Sequence, residues 1–347
     1  MCITGTDTYS KDRMSSMKAA VIRKYGGPEV VHLETIAKPS PTNKQVLVRV
    51  HSTSVTTGDW RVIGPNAPAG MSFLFRLAFG ITAPRKKVLG QEFAGVVEEV
   101  GAAVTEFKVG DQVFGTNDVN FGAHSEFLCI DTDYAIIHKP TNSNMKMSYF
   151  GALAFGGVTS LYFVRDMAKL KKGDKILING ASGCLGTFAI QLAKYYGAHV
   201  TAVCSGKNAA LVKDLGADKV IDYKEENCTD GSEKYDIIYD TVGNLKFSDS
   251  KKVLTENGQL LTAVFEGFGD LRKIMWNSMF GGKKKYRTGT PPIGKGTKKD
   301  LEFLAQLVEE GKLKVVIDSE FPLEKISDAF RLVDSGHKRG NAVVVVK

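Results

Sequence analysis

"KILINGASGCLGTFAIQLAKYYGAHVTAVCSGKN", Lys175 to Asn208, decides the fold. It reads as an apolar strand, a glycine-rich turn, a helix-length segment and a second apolar strand. The turn spaces Gly180, Gly183 and Gly186 as G-x-x-G-x-x-G. From Ala181 the same run is the dinucleotide fingerprint with its first glycine replaced, Ala181-x-Gly183-x-x-Gly186. Glycine at 183 lets the backbone approach a pyrophosphate, glycine at 186 lets the helix pack on the strand, and free N–H groups at the helix start receive negative charge. Residues Gly180, Ala181, Ser182, Gly183, Cys184, Leu185 and Gly186 are therefore read as a dinucleotide seat.

The end of the second strand selects the dinucleotide. An acidic residue there bonds the 2′-hydroxyl of NAD, but this chain has Ser205, Gly206 and Lys207. A hydroxyl and an ammonium suit a 2′-phosphate, and a charge-assisted bond from Lys207 contributes ~1.5 to 3 kcal/mol. NADPH (NADP⁺) is the expected cofactor.

Outward from this unit, strands alternate with helix-length segments from Gly173 onward ("KILING", "HVTAVCS", "KVIDY", "YDIIYDTVG", "GQLLTAV"), the rhythm of a doubly wound parallel sheet. Up to about Lys139 the chain is instead a series of short β-rich runs. After Gly294 an amphipathic helix, "KKDLEFLAQLVEEGKL", and a closing strand, "NAVVVVK", break the alternation, so the tail is expected to rejoin the first domain.

Composition agrees with an α/β protein of two cores: 347 residues, 43% hydrophobic. Five scattered cysteines without a C-x-x-C pair suggest neither a disulfide framework nor a zinc knuckle, which points to a reducing cytoplasm. No run approaches the ~18 unbroken apolar residues of a membrane span. The net charge of +8 resides in Gly269–Lys299, which holds nine Lys or Arg against one acid. That segment is read as a solvated loop in preference to a nucleic-acid or membrane contact.

The motifs "MKAAVIRKYGGPEV", "VLGQEFAGVVEEVG", "VGDQVFG", "INGASGCLG", "LGADKVIDY" and "DTVG" resemble the medium-chain dehydrogenase/reductases, from Met17 nearly to Lys347. Within that superfamily the chain resembles the zinc-free quinone oxidoreductase branch. The resemblance implies a discontinuous GroES-like catalytic domain over 17–143 and 294–347, a Rossmann NADP-binding domain over 144–293, a disordered extension over 1–16, and a homodimer. Where zinc relatives carry Cys, His and Cys, this chain has Thr56, Gln91 and a site near Phe155, which offer no thiolate or imidazole. No metal is expected.

Without a Lewis acid, a conjugated acceptor is the easier hydride acceptor, because its charge spreads onto an oxygen that hydrogen-bond donors can hold. The expected reaction is NADPH-dependent reduction of quinones or α,β-unsaturated carbonyls. Thr56 is the candidate donor, Asp59 follows in the same turn, and Gln91 is read evenly as a substrate donor or a structural partner. The resemblance places the turn Asp240–Gly243, with Val242 and Gly243, near the nicotinamide ribose, and Tyr223 beside the 2′-phosphate. It also suggests a lid at Met71–Ile81, which a buried short helix explains as well, and Phe114, Phe121 and Phe265 are candidate walls, although aromatic residues are more often core than pocket. The rivals are a metal-independent alcohol dehydrogenase or carbonyl reductase, and a non-catalytic NADPH-binding protein that reaches RNA or an anionic membrane through its basic segment.

Overall fold

The computed structural model describes residues 16–64, 72–141, 145–264, 267–280, 282–292 and 295–346. Most of the 1–16 extension, Phe265 and Met71 lie outside these residues.

The N-terminal half opens with an antiparallel pair, β1 (Ser16–Ile22) and β2 (Val31–Ala37). β3 (Gln45–Val55) then organises a second sheet with β4 (Glu92–Val100), β5 (Gln112–Thr116), β6 (Phe127–Asp131) and β7 (Ala135–His138). Val46, Leu47, Val48 and Val50 of β3 are all buried, because the strand is covered on both faces. Two helices leave this sheet, α1 (Thr57–Ile63) and α2 (Ser72–Phe79).

The second half carries β8 (Lys175–Asn179), β9 (His199–Cys204), β10 (Lys219–Asp222), β11 (Tyr235–Asp240), β12 (Leu254–Thr262) and β13 (Lys285–Thr288). All pair in parallel in the order β10-β9-β8-β11-β12-β13. This is the doubly wound order of a Rossmann sheet, whose direction of winding reverses between β8 and β11 and opens a crevice at their carboxyl ends. Helix α3 (Ala154–Leu161) precedes the sheet, and α4 (Cys184–Tyr195) follows the glycine turn. Phe188, Ala189, Leu192 and Ala193 of α4 are buried, a stripe at helical spacing laid on β8 and β9.

The basic segment is not a loop throughout. It folds into α5 (Phe268–Phe280), β13 and the start of α6 (Lys295–Glu309). Charge alone did not reveal that "KYRT" completes the sheet edge by pairing with Gln259–Thr262. After α6 come β14 (Ile317–Pro322), α7 (Ile326–Asp334) and β15 (Asn341–Val345). β15 pairs antiparallel with β3, which brings the tail back to the first sheet. Ile326, Ala329, Phe330 and Val333 of α7, spaced i, i+3, i+4 and i+7, are buried in that sheet's core.

Gly186 marks where helix and strand touch. A Cβ there would lie 2.4 Å from the Gly180 carbonyl oxygen and 2.5 Å from the Ala181 Cα. Both are backbone atoms that cannot step aside. Gly186→Ala is therefore expected to destabilise the protein by ~1 to 3 kcal/mol, read as a lower urea midpoint at unchanged slope; an unchanged midpoint would refute the close approach.

Candidate functional site

A cleft of about 1050 Å³ lies at the carboxyl ends of the Rossmann strands, with its opposite wall supplied by α1 and the Gly336–Lys338 return. On the Rossmann side it is lined by Gly180, Ser182, Gly183, Cys184, Leu185, Ser205, Lys207, Tyr223 and Val242. Ala181, Gly186 and Gly243 shape the turns from behind, Ala181 fully buried, Gly243 at φ 91° with Val264 O only 2.9 Å from where a Cβ would sit.

Helix α4 begins at Gly183 with no side-chain cap, which leaves its first-turn N–H groups open to an anion. Beside them Asn208 Nδ2 donates to Ser182 Oγ at 3.0 Å and to Ser205 Oγ at 3.3 Å. Both hydroxyl hydrogens are thereby left free to point elsewhere. Asn208 Oδ1 is buried without a hydrogen-bond partner among the described residues. Further out, Lys207, Tyr223 and Lys224 line the cleft together with Glu225 and Glu226. The Asp222 carboxylate is instead engaged by the N–H groups of Gly206 (2.7 Å) and Lys224 (3.0 Å).

The Asp240–Gly243 turn is built by a buried carboxylate. Asp240 accepts the N–H groups of Val242, Gly243 and Leu245 and the Asn179 side-chain amide, all at 2.8–3.0 Å. Asp240 so positions Val242, which is half exposed, at the cleft wall.

On the opposite wall, Thr56 and Asp59 form a reciprocal capping box at the start of α1. Thr56 Oγ1 donates to Asp59 Oδ2 at 2.7 Å and accepts from Asp59 N at 3.1 Å, with Gln91 Oε1 also 3.1 Å away. Its single hydrogen faces Asp59 as the nearer acceptor. Asp59 is fully buried, and its second oxygen takes the Gly90 N–H at 3.0 Å. Thr56 lines the cleft; Asp59 and Gln91 do not. Gln91 fills the space beside Gly58, where a Cβ would meet its Oε1 at 2.5 Å.

Sequence reasoning missed Thr57, Arg61 and Lys338, all of which line the cleft. Thr57 is exposed there, one residue beyond the nominated threonine. Arg61 stands one helical turn further along α1. Among the described residues its Nε is buried without a partner, and desolvation pushes the guanidinium below its usual pKa with no neighbouring acid to offset it. Lys338 arrives on the return before β15, where Gly340 N donates to Ser182 O at 2.8 Å and latches that loop to the glycine turn.

The expected aromatic walls are placed differently. Phe114 is core, its ring 4.9 Å from that of Phe150, and Phe121 is buried against Phe79. Helix α2, expected as part of a lid, exposes Phe73 and Leu77, and neither of these nor Ile81 lines the cleft. Phe155 lines it, its N–H donating to Glu92 Oε2 at 2.8 Å.

Glu92 is fully buried and also takes the Ser54 hydroxyl. Desolvation, with a smaller push from the Asp59 charge, raises its carboxyl from 4.5 to about 7. Between those pH values the unfolded chain has released this proton and the folded chain keeps it. The stability contributed by Glu92 is thus full below pH 4.5 and lost as pH rises through about 7. Glu92→Gln is expected to flatten that slope, worth roughly 3 to 4 kcal/mol, in urea titrations across the window; an unchanged slope would assign it to other groups.

Two family descriptions match the chain: "Alcohol dehydrogenase GroES-like domain" over residues 42–167 and "Zinc-binding dehydrogenase" over residues 215–344. A chloroplast envelope quinone oxidoreductase homolog of Arabidopsis thaliana is 32% identical over 342 residues, covering 94% of this chain and 98% of the relative. An NADPH-dependent alkenal/one oxidoreductase of the same plant, also chloroplastic, is 30% identical over 346 residues, covering 94% and 79%. Among solved structures, the quinone oxidoreductase from Coxiella burnetii superposes with a TM-score of 0.83 at 27% identity, covering 96% of this chain and all of that one. With the Rossmann order, the glycine turn and the returning tail, these likenesses leave one conclusion. The chain is an oxidoreductase belonging to the medium-chain dehydrogenase/reductase superfamily, in its quinone oxidoreductase-like group.

Proposed function

We propose that the protein uses NADPH to reduce quinones or α,β-unsaturated carbonyls and needs no metal ion to do so. The observation that carries the reading is Arg61, a cation lining the cleft whose buried Nε has no partner, and which has no carboxylate beside it, among the described residues. A half-buried guanidinium with an unsatisfied Nε is costly, and an acceptor oxygen that gains negative charge would satisfy it. Thr57 offers a second donor on the same turn. Thr56 becomes a positioning residue, because its hydrogen belongs to Asp59 and the pair fixes the start of α1.

A dinucleotide fits the Rossmann wall. Bound there, its nicotinamide supplies the hydride. The uncapped α4 terminus and the Ser182 and Ser205 hydroxyls suit a pyrophosphate. Lys207, Lys224 and Tyr223 suit a 2′-phosphate, and Asp222, the carboxylate that could bind a ribose hydroxyl, is committed to backbone N–H groups. Phe155, Val242 and Leu185 supply apolar wall that excludes water from the reacting atoms.

The metal-free reading rests on the donor set. Thr56, Gln91 and Phe155 provide no thiolate or imidazole, and no group of three or more His, Cys, Asp or Glu suited to a metal occurs among the described residues. The residues matched as a zinc-binding dehydrogenase, 215–344, include none of these three positions. We further propose a cytoplasmic homodimer, to be checked by sedimentation and by fractionation.

A substrate panel tests the reaction class. Enones and quinones with NADPH are expected to turn over at least ~10-fold faster than secondary alcohols with NADP⁺; the reverse order would make this an alcohol dehydrogenase.

A further inference from the structure

Helix α5 presents three large apolar side chains to solvent. Met275, Trp276 and Met279 are 65%, 67% and 71% exposed. Asn277 is buried, and Ile274 packs against the Leu260 and Tyr286 cluster. At ~100° per residue, Arg272, Met275, Trp276 and Met279 share an arc of ~100° with Lys273 at its margin. Asn277 holds that arc in place, since its Oδ1 accepts from Tyr286 N at 2.6 Å and its Nδ2 donates to Lys284 O at 3.2 Å. The same bonds bring Lys283, Lys284 and Lys285 alongside the helix. A groove of about 750 Å³ joins the two features, with Phe247 and Trp276 as apolar lining and Lys251, Arg272 and Lys273 as cationic lining. Lys251 Nζ sits 4.6 Å above the Phe247 ring.

We propose that this face docks on an anionic lipid bilayer, with Trp276, Met275 and Met279 entering the boundary between headgroups and acyl chains. The surrounding lysines and Arg272 would then meet lipid phosphates. Charge complementarity selects this occupant. An indole flanked by thioethers within a cationic rim has the composition of a helix lying in a membrane interface. A nucleic acid would gain little from two methionines. A second copy docked by the same face would bring the same lysine cluster against itself, although Lys283 and Lys252 have ion pairs with Glu256 and Asp249. The inference is independent of the reaction proposed above, since none of these residues lines the large cleft.

The test is co-sedimentation of the full chain with phosphatidylcholine vesicles, with and without phosphatidylserine, at physiological salt. The phosphatidylserine vesicles are expected to bind at least ~10-fold tighter, with a blue shift in tryptophan emission that Trp276→Phe removes. Changing Met275, Trp276 and Met279 together to serine, or Lys283→Glu with Lys284→Glu, is expected to abolish binding while the rate of NADPH oxidation stays unchanged. Equal or absent binding to the two vesicle types would overturn the proposal, as would vesicle binding that survives the serine variant. So would a serine variant that changes the oligomer on sedimentation while the parent ignores vesicles, which would give the face to a second copy. Tighter binding to a single-stranded RNA than to the vesicles would give it to nucleic acid.

Discussion

Arg61→Met is expected to lower kcat/KM for enone or quinone reduction by ~10²- to 10³-fold, the usual consequence of deleting a preorganised donor to a developing oxyanion. The expectation follows from the absence of a competing partner. Among the described residues the Arg61 Nε has none, and burial depresses the guanidinium pKa, so a negatively charged oxygen in the cleft would supply the partner these residues lack. Arg61→Lys keeps charge but loses the planar fork and should recover part of the rate. NADPH affinity, followed by fluorescence quenching, should move less than ~3-fold in both variants. If affinity falls as far as the rate, Arg61 serves the cofactor's phosphates and the acceptor must be held by another group.

Lys207→Ala is expected to weaken NADPH by ~10- to 100-fold and leave NADH nearly unchanged. Lys207, Lys224 and Tyr223 line the same end of the cleft beyond Ser205, where a 2′-phosphate would lie, and Glu225 and Glu226 beside them would discourage an anion that lacked those cations. Lys224→Ala should give a smaller loss in the same direction. The NADPH preference should also decline as salt is raised, since exposed charge pairs are screened. Equal losses for both cofactors would remove the 2′-phosphate from this position.

The parts of the site that were legible beforehand are those set by neighbours in sequence. The glycine turn was readable because its conformational needs are local: φ 77° at Gly180, and backbone at 2.4 Å from a Cβ at Gly186. The Rossmann order followed from the alternation of strands and helices, whose connections leave few topologies. Thr56 and Asp59 also belonged to a readable pattern, the four-residue capping box, and this is why Thr56 is spent on Asp59 and is a poor donor to substrate.

Arg61 was missed because its significance is a tertiary absence. What signal existed was faint: none of the positions three or four residues away on either side carries an acid, so no helical ion pair was available to it. Lys338 could not be foreseen from spacing, because it reaches the glycine turn only when β15 closes on β3 and Gly340 bonds Ser182. Residue type left Phe114 and Phe121 open to either reading, wall or core, and the packing of β5 against Phe150 and of α2 against Phe121 places both in the core. The basic segment was judged by its charge, whereas its fold is decided by Asn277 and by the edge of β12.

The most direct test of the account is the metal content of the purified protein, set beside its rate of NADPH-dependent enone reduction before and after exhaustive chelation. The account predicts far less than one zinc per chain and a rate that chelation leaves unchanged. One zinc per chain, with activity that disappears on stripping and returns on adding zinc, would contradict it.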